Sequence, residues 1–219
     1  MEPVTNPDLL NEIWTGALML LKLGGPVVAV LLVASVLGLA LALVKFLQFS
    51  GASSAPFKRL DAAIDNWTSG DKEQAGKILS GSRLGIASDL QFGLEQHGSL
   101  DSDLLHDEMM RRAAVFLRAY SRNLRPLELL YYLAPVMGLL GTVLGMIDAF
   151  RGLAVSAGAA GESSALASGI WEALLTTAVG LCIAIPFAVM HAFLESKLEA
   201  IADNVTDLVT RVLTLPTGS

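Results

Sequence analysis

Apolar residues are unevenly spread along this chain. They gather in three stretches long enough to cross a bilayer, and between these the pattern changes to apolar positions recurring every three or four residues. A hydrocarbon core about 30 Å thick takes about 20 apolar residues in helical form. The first stretch, Leu23 to Val44, has no charged residue and lies between Lys22 and Lys45. The second runs from about Leu129 to Phe150, with Asp148 near its end. The third runs from about Ile170 to Leu194 and encloses Glu172 and His191. Ala40-Leu41-Ala42 imitates a signal-peptide cleavage site. However, Glu2, Asp8 and Glu12 stand against Lys22 ahead of the first run, and that run exceeds the roughly 7–15 residues of a signal sequence, so it reads as a retained anchor.

The intervening patterns are helical. Pro56 to about Leu79 and Ile86 to Gln96 read as two modest helices, separated at Gly81-Ser82 and closed by Gly98. A longer helix is expected from Asp101, whose carboxylate can cap free amides, through Leu104, Leu105, Met109, Ala113, Phe116, Leu117 and Tyr120. Pro126 lacks an amide donor, so this helix is expected to break or kink before the second span. After the third span, Leu198, Ile201, Ala202, Val205, Leu208, Val209 and Val212 continue a helical stripe. The third span is therefore expected to run unbroken into an extension ended by Pro216 and Gly218. Ala154 to Ser168, rich in Gly, Ala and Ser, reads as a mobile connection. The apolar stripes need partners, either one another or neighbouring subunits.

Charge orients the spans. Residues 45–126 hold 11 of the 15 basic residues, and Arg111, Arg112, Arg118, Arg122 and Arg125 approach the second span. The positive-inside rule then puts this segment and the C-terminus in the cytoplasm. The expected order is an outer segment 1–22, span 23–44, cytoplasmic helical domain 45–126, span 127–150, outer loop 151–169, span 170–194 and cytoplasmic helix 195–219. Composition agrees: 53% hydrophobic, 16% charged and a mean hydropathy of +0.56 exclude a disordered chain and an ordinary soluble surface. With 15 basic against 21 acidic residues, a net charge of −6, there is no cationic excess to neutralise nucleic-acid phosphates. The single Cys182 cannot form an intrachain disulfide, and no Cys/His group has zinc-ligand spacing. The spans carry no Ser/His pair, metal-binding His-Glu motif or phosphate-cradling Gly loop, so neither an enzyme nor a cofactor is expected. The basic face of Arg111, Arg118, Arg122 and Arg125 reads as solvated or facing lipid headgroups.

Polar groups within the apolar runs are the candidate chemistry. A carboxylate at mid-bilayer costs about 2.5–3.5 kcal/mol on insertion scales, so Glu172 either reaches interfacial water or needs a wet or paired site. Asp148 and His191 read as interfacial. Thr142 in the second span and Thr176 and Thr177 in the third sit near mid-span; Thr176, four positions from Glu172, lies close to its face, and Thr177 is rotated away. Each hydroxyl can also satisfy itself on a carbonyl three or four residues back. Gly38-x-x-x-Ala42, Gly141-x-x-x-Gly145 and Gly180-x-x-x-Ala184 allow close helix packing, and Pro135 and Pro186 free carbonyls inside spans two and three. Spans two and three thus read as packed, kinked helices bordering a polar lumen, with span one lipid-facing.

The string Ala134-Pro135-Val136-Met137-Gly138-Leu139-Leu140-Gly141-Thr142-Val143-Leu144-Gly145-Met146 resembles the second span of the MotA/TolQ/ExbB proton-channel family. Gly169-Ile170-Trp171-Glu172-Ala173-Leu174-Leu175-Thr176-Thr177-Ala178-Val179-Gly180-Leu181, followed by Ala184-Ile185-Pro186, resembles its third. The likeness is to the ExbB and TolQ branches and covers about residues 127–195. It implies an all-α inner-membrane protein with three transmembrane helices and long cytoplasmic extensions, assembled as a ring of five around two single-span helices of an ExbD- or TolR-like partner. It further implies that the partner's Asp takes up the ion and that ion flow drives a periplasmic load, such as a TonB- or TolA-like protein. By position, Thr142 and Thr177 would line the path and Glu172 would be the lumen carboxylate. Thr176 stands where many proton-type members carry a small apolar residue. An extra oxygen there suits sodium, which makes a sodium-driven member one alternative and a non-conducting membrane scaffold another.

Overall fold

The structure, a computed structural model, describes residues 7–50, 54–122, 124–155 and 162–216. Seven helices and no strands occur among them: α1 (Pro7–Ser50), α2 (Ser54–Thr68), α3 (Lys72–Ser80), α4 (Ile86–Gln96), α5 (Ser102–Ser121), α6 (Leu124–Val155) and α7 (Glu162–Leu213). Three of them, α1, α6 and α7, contain segments long and apolar enough to cross a membrane. The described residues form two compact units, one from residues up to Ala42 with Pro126–His191, the other from Leu43–Arg125 with the residues from Ala192 onward.

In the first unit α1 is bent at Gly25, whose φ of 59° and ψ of −159° leave helical space. The following Pro26 is the cause. Its ring disfavours the helical region for the residue before it, and glycine alone takes the alternative cheaply. Beyond the bend Val27, Val28 and Leu31 pack with Ala134 of α6 and Val179 and Ala184 of α7. Leu130 of α6 and Phe187 of α7 press into the space left by the missing side chain of Gly38. The opposite face of α1 exposes Val30, Val33, Val36, Leu37 and Leu39, as suits a helix against lipid. Helices α6 and α7 continue through Pro135 and Pro186. His191 is buried, its ring 5.4 Å from that of Tyr131, whereas Asp148 is exposed and 3.7 Å from Arg151.

In the second unit α2 to α5 and the last turns of α7 bury their apolar stripes on one another. Leu60, Ile64, Ile86, Leu90, Met109, Val205 and Val212 are wholly enclosed. Arg112 pairs with Asp89 at 3.0 Å and Glu108 at 2.8 Å and stacks 4.0 Å from the Phe92 ring centroid. Arg211 of α7 pairs with Asp61 and Asp65 of α2. Lys45, buried, donates to the carbonyl of Tyr120 at 2.8 Å and to Gln48 Oε1 at 2.9 Å, while Gln48 donates to the carbonyl of Ala119. Two α1 side chains thereby satisfy carbonyls of the last turn of α5, which have no partner within their own helix.

Several expected boundaries shift. The helix expected over Pro56–Leu79 is two helices, because Gly70 takes φ 92° and Asp71 caps α3 by accepting from the Gln74 amide at 3.0 Å. The break before the second span falls after Ser121, not at Pro126, which sits in the first turn of α6 where its missing amide costs nothing. Helix α1 begins well before residue 23, at Pro7. The connection expected over 151–169 is helical at both ends; residues 156–161, like Gly218, lie outside the described residues. The α4 bounds, the Asp101 cap and the unbroken α7 are as the periodicity predicts.

Candidate functional site

The seam between α6 and α7 is built from small residues. On α6, Ala134, Gly138, Gly141, Gly145 and Ala149 recur at three- and four-residue spacing, which is one helical face. On α7, Gly169, Ala173, Thr176 and Gly180 do the same. A Cβ on Gly180 would stand 2.5 Å from the carbonyl oxygen of Ala134, and one on Gly138 would stand 3.0 Å from Thr177 Cα. At Gly145 it would meet Ala173 Cβ at 3.2 Å, and at Gly169 it would run into Ala149. Backbones this close exclude any larger side chain, so the glycines set the distance between the helices. Ala184 is spent elsewhere, in the cluster with α1.

All three threonines adjoin this seam. Thr176 is 2% exposed, and its Oγ1 lies 2.7 Å from the carbonyl oxygen of Ala173 and 3.2 Å from that of Gly138. Thr177, half-buried, donates to the same Gly138 carbonyl at 3.2 Å. Thr142, also half-buried, donates to the carbonyl of Leu139 at 2.6 Å. Each hydroxyl proton is thus engaged by a main-chain carbonyl, and the oxygen lone pairs remain as acceptors. Thr142 borders open space. Its neighbours on this open surface of α6 are Val143, Met146, Ile147, Phe150 and Arg151. Such an oxygen can accept from a protonated acid or ligate a dehydrated cation, and by rotating it can donate to a carboxylate.

Glu172 lies one turn before Thr176 on α7 but outside the seam. It is exposed, and its Oε1 stands 3.3 Å from where a Cβ on Gly25 would be. The structure therefore brings Thr176 and Thr177 together at Gly138, with Thr142 close by, and sets the Glu172 carboxylate at the bend of α1. The sequence reading did not find the part played by Gly25. Its signal is the triplet Gly24-Gly25-Pro26, a strong helix breaker inside an otherwise uninterrupted apolar run. Nor did it find Ala134, Ala149, Gly169 and Ala173 as the rest of the seam, although their spacing is legible. No group of three or more His, Cys, Asp or Glu able to hold a metal ion occurs among the described residues.

A family model described as the MotA/TolQ/ExbB proton channel family matches residues 84–207. The chain is 38% identical over 94 residues to the biopolymer transport protein exbB1 of Vibrio cholerae, covering 41% of this chain and 39% of that protein. It is 30% identical over 135 residues to the biopolymer transport protein ExbB of Salmonella typhimurium, covering 59% and 54%. It is 38% identical over 105 residues to the Tol-Pal system protein TolQ of Pseudomonas aeruginosa, covering 45% and 43%. The chain thus spans about half, or less, of the length of these relatives.

Proposed function

Since the chain belongs to the MotA/TolQ/ExbB proton channel family, on its ExbB/TolQ branch, we propose that it is the multi-pass inner-membrane subunit of an ion-driven motor. In this proposal five copies form a ring around two helices of an ExbD- or TolR-like partner, and the proton motive force is spent on periplasmic or outer-membrane work such as TonB-dependent transport. The N-terminus and the connection between α6 and α7 face the periplasm, and the basic segment 45–126 and the C-terminus face the cytoplasm.

The observation that carries the proposal is the threonine-bearing α6–α7 seam. Thr142 and Thr177 are half-buried hydroxyls at two tightly packed helices, with Glu172 exposed on α7 one turn before Thr176 and no deeply placed Asp on either helix. A shuttle carboxylate supplied by a partner helix completes such a site. When the partner acid is protonated, a threonine oxygen accepts its hydrogen bond; when it is ionised, the hydroxyl turns and donates. Each charge crossing 100 mV releases about 2.3 kcal/mol, so a few ions per step can do mechanical work. Thr176, enclosed in the seam, acts here as a packing and hydrogen-bonding group rather than a sodium ligand, which favours the proton.

The test is to tag the C-terminus, extract the chain in mild detergent, count co-purifying chains by mass spectrometry, and measure ion flux after reconstitution. Five copies with two of a single-span protein bearing a membrane Asp, and flux lost when that Asp is neutralised, are the expected results. Recovery of the chain with unrelated proteins and no gradient-dependent flux would favour a non-conducting scaffold.

A further inference from the structure

The bend in α1 lies against a charged side chain. Gly25 takes φ 59° and ψ −159°, a region that is essentially glycine-only. Its neighbour Gly24 is also held to glycine, because a Cβ there would collide with the Val28 side chain. Pro26 then starts a fresh helical segment, and the N-terminal end of a helix favours negative charge within its first turn. Into this place α7 extends Glu172, with Oε1 3.3 Å from the point where a Gly25 side chain would begin. A contact that close leaves room for hydrogen but not for a methyl group without the carboxylate giving way.

The geometry points to Gly25 as a positioning residue for Glu172: the glycine-only bend leaves the space beside the α1 backbone that the carboxylate occupies. This inference rests on the proposal that Glu172 serves the ion path, but the contact can be tested without flux. Filling the space beside the bend displaces the carboxylate directly, because Oε1 is the atom that an added side chain meets. An exposed glutamate samples many rotamers; Gly25 is a defined neighbour of this one.

The experiment uses the full chain in its own membrane and reads the rate at which dicyclohexylcarbodiimide labels Glu172, measured on the peptide by mass spectrometry. Gly25→Ala is expected to change that rate by about threefold or more, as coupled neighbours do, and the change should vanish in a Glu172→Asp background whose shorter side chain clears the added methyl. Gly98→Ala, which forces a side chain into φ 83° where nothing lies within 4 Å, controls for backbone strain and should leave the rate unchanged. If Gly25→Ala does not accumulate, Pro26→Ala releases the bend without adding bulk and should alter the rate as well. Wild-type labelling in Gly25→Ala or Pro26→Ala, or an equal effect in both Glu172 and Glu172→Asp backgrounds, would overturn the inference. Normal flux in Glu172→Ala would instead remove Glu172 from the ion path while leaving the labelling result to stand.

Discussion

Thr176 Oγ1 reaches from α7 to within 3.2 Å of the carbonyl oxygen of Gly138 on α6, and a Cβ on Gly141 would stand 2.5 Å from that same hydroxyl oxygen. The two helices can meet only because α6 has no side chain there. Gly141→Ala is therefore expected to cost about 1–3 kcal/mol by overpacking. Thermal unfolding of the detergent-solubilised chain measures it; a wild-type midpoint would show that the seam can open at no cost.

The three hydroxyls should separate by role. Thr176→Val keeps the shape of a buried side chain and deletes an interhelical hydrogen bond, so about 0.6–2 kcal/mol of stability should be lost. Thr142→Ala removes a hydroxyl bonded only within α6 and should leave the unfolding midpoint nearly unchanged, whereas Thr177→Val also deletes a bond to the Gly138 carbonyl and should cost about 0.6–2 kcal/mol; both should abolish coupled ion flux in the reconstituted complex. Normal flux in Thr177→Val would take that residue out of the mechanism.

Lys45 supplies the buried cation that satisfies the Tyr120 carbonyl at the end of α5. Lys45→Met preserves the apolar stem and strips the donor, leaving that carbonyl and Gln48 without it. These acceptors are half-buried, so the loss should be about 1 kcal/mol, and hydrogen exchange at the last turn of α5 should quicken in step. Unaltered exchange there would mean that water replaces the ammonium freely.

Glu108 gives a pH signature. Hydrogen bonds from Arg111 and Arg112 hold its carboxyl at about 2, below its ordinary 4.5. A group with a depressed folded pKa stabilises the fold above its unfolded value and loses that contribution as pH falls through the folded one. The unfolding midpoint of the full chain should thus drop more steeply between 4.5 and about 2 than in Glu108→Gln. Parallel slopes would show that the pair with Arg111 and Arg112 does not persist in solution.

Much of this architecture is legible in the residues. The three apolar runs, the Asp101 cap and the stripe from Leu198 to Val212 each follow from spacing, because one periodic pattern permits one local structure. What escaped was set by short-range exceptions. A single Gly70 at positive φ cuts one expected helix into two, and a single Pro26 bends α1 through its effect on Gly25. At the site, the threonines were found because hydroxyls stand out in apolar runs. Their division into the enclosed Thr176 and the half-buried Thr142 and Thr177 was not, since neighbouring positions on a helix differ in exposure only once the facing helix is in place.

A helix seam lined by glycine is subject to a one-sided kind of drift. Every replacement of Gly138, Gly141 or Gly180 enlarges the residue, and no compensating replacement on the facing helix can shrink a backbone carbonyl or Cα, which are the atoms that the additions would strike at Gly138 and Gly180. The outward-facing valines and leucines of α1, by contrast, can exchange among themselves with little effect. Descendants of this sequence should accordingly scatter along the lipid-facing surface and stay still along a narrow line between α6 and α7, so that the least conspicuous side chains in the protein become its slowest to change.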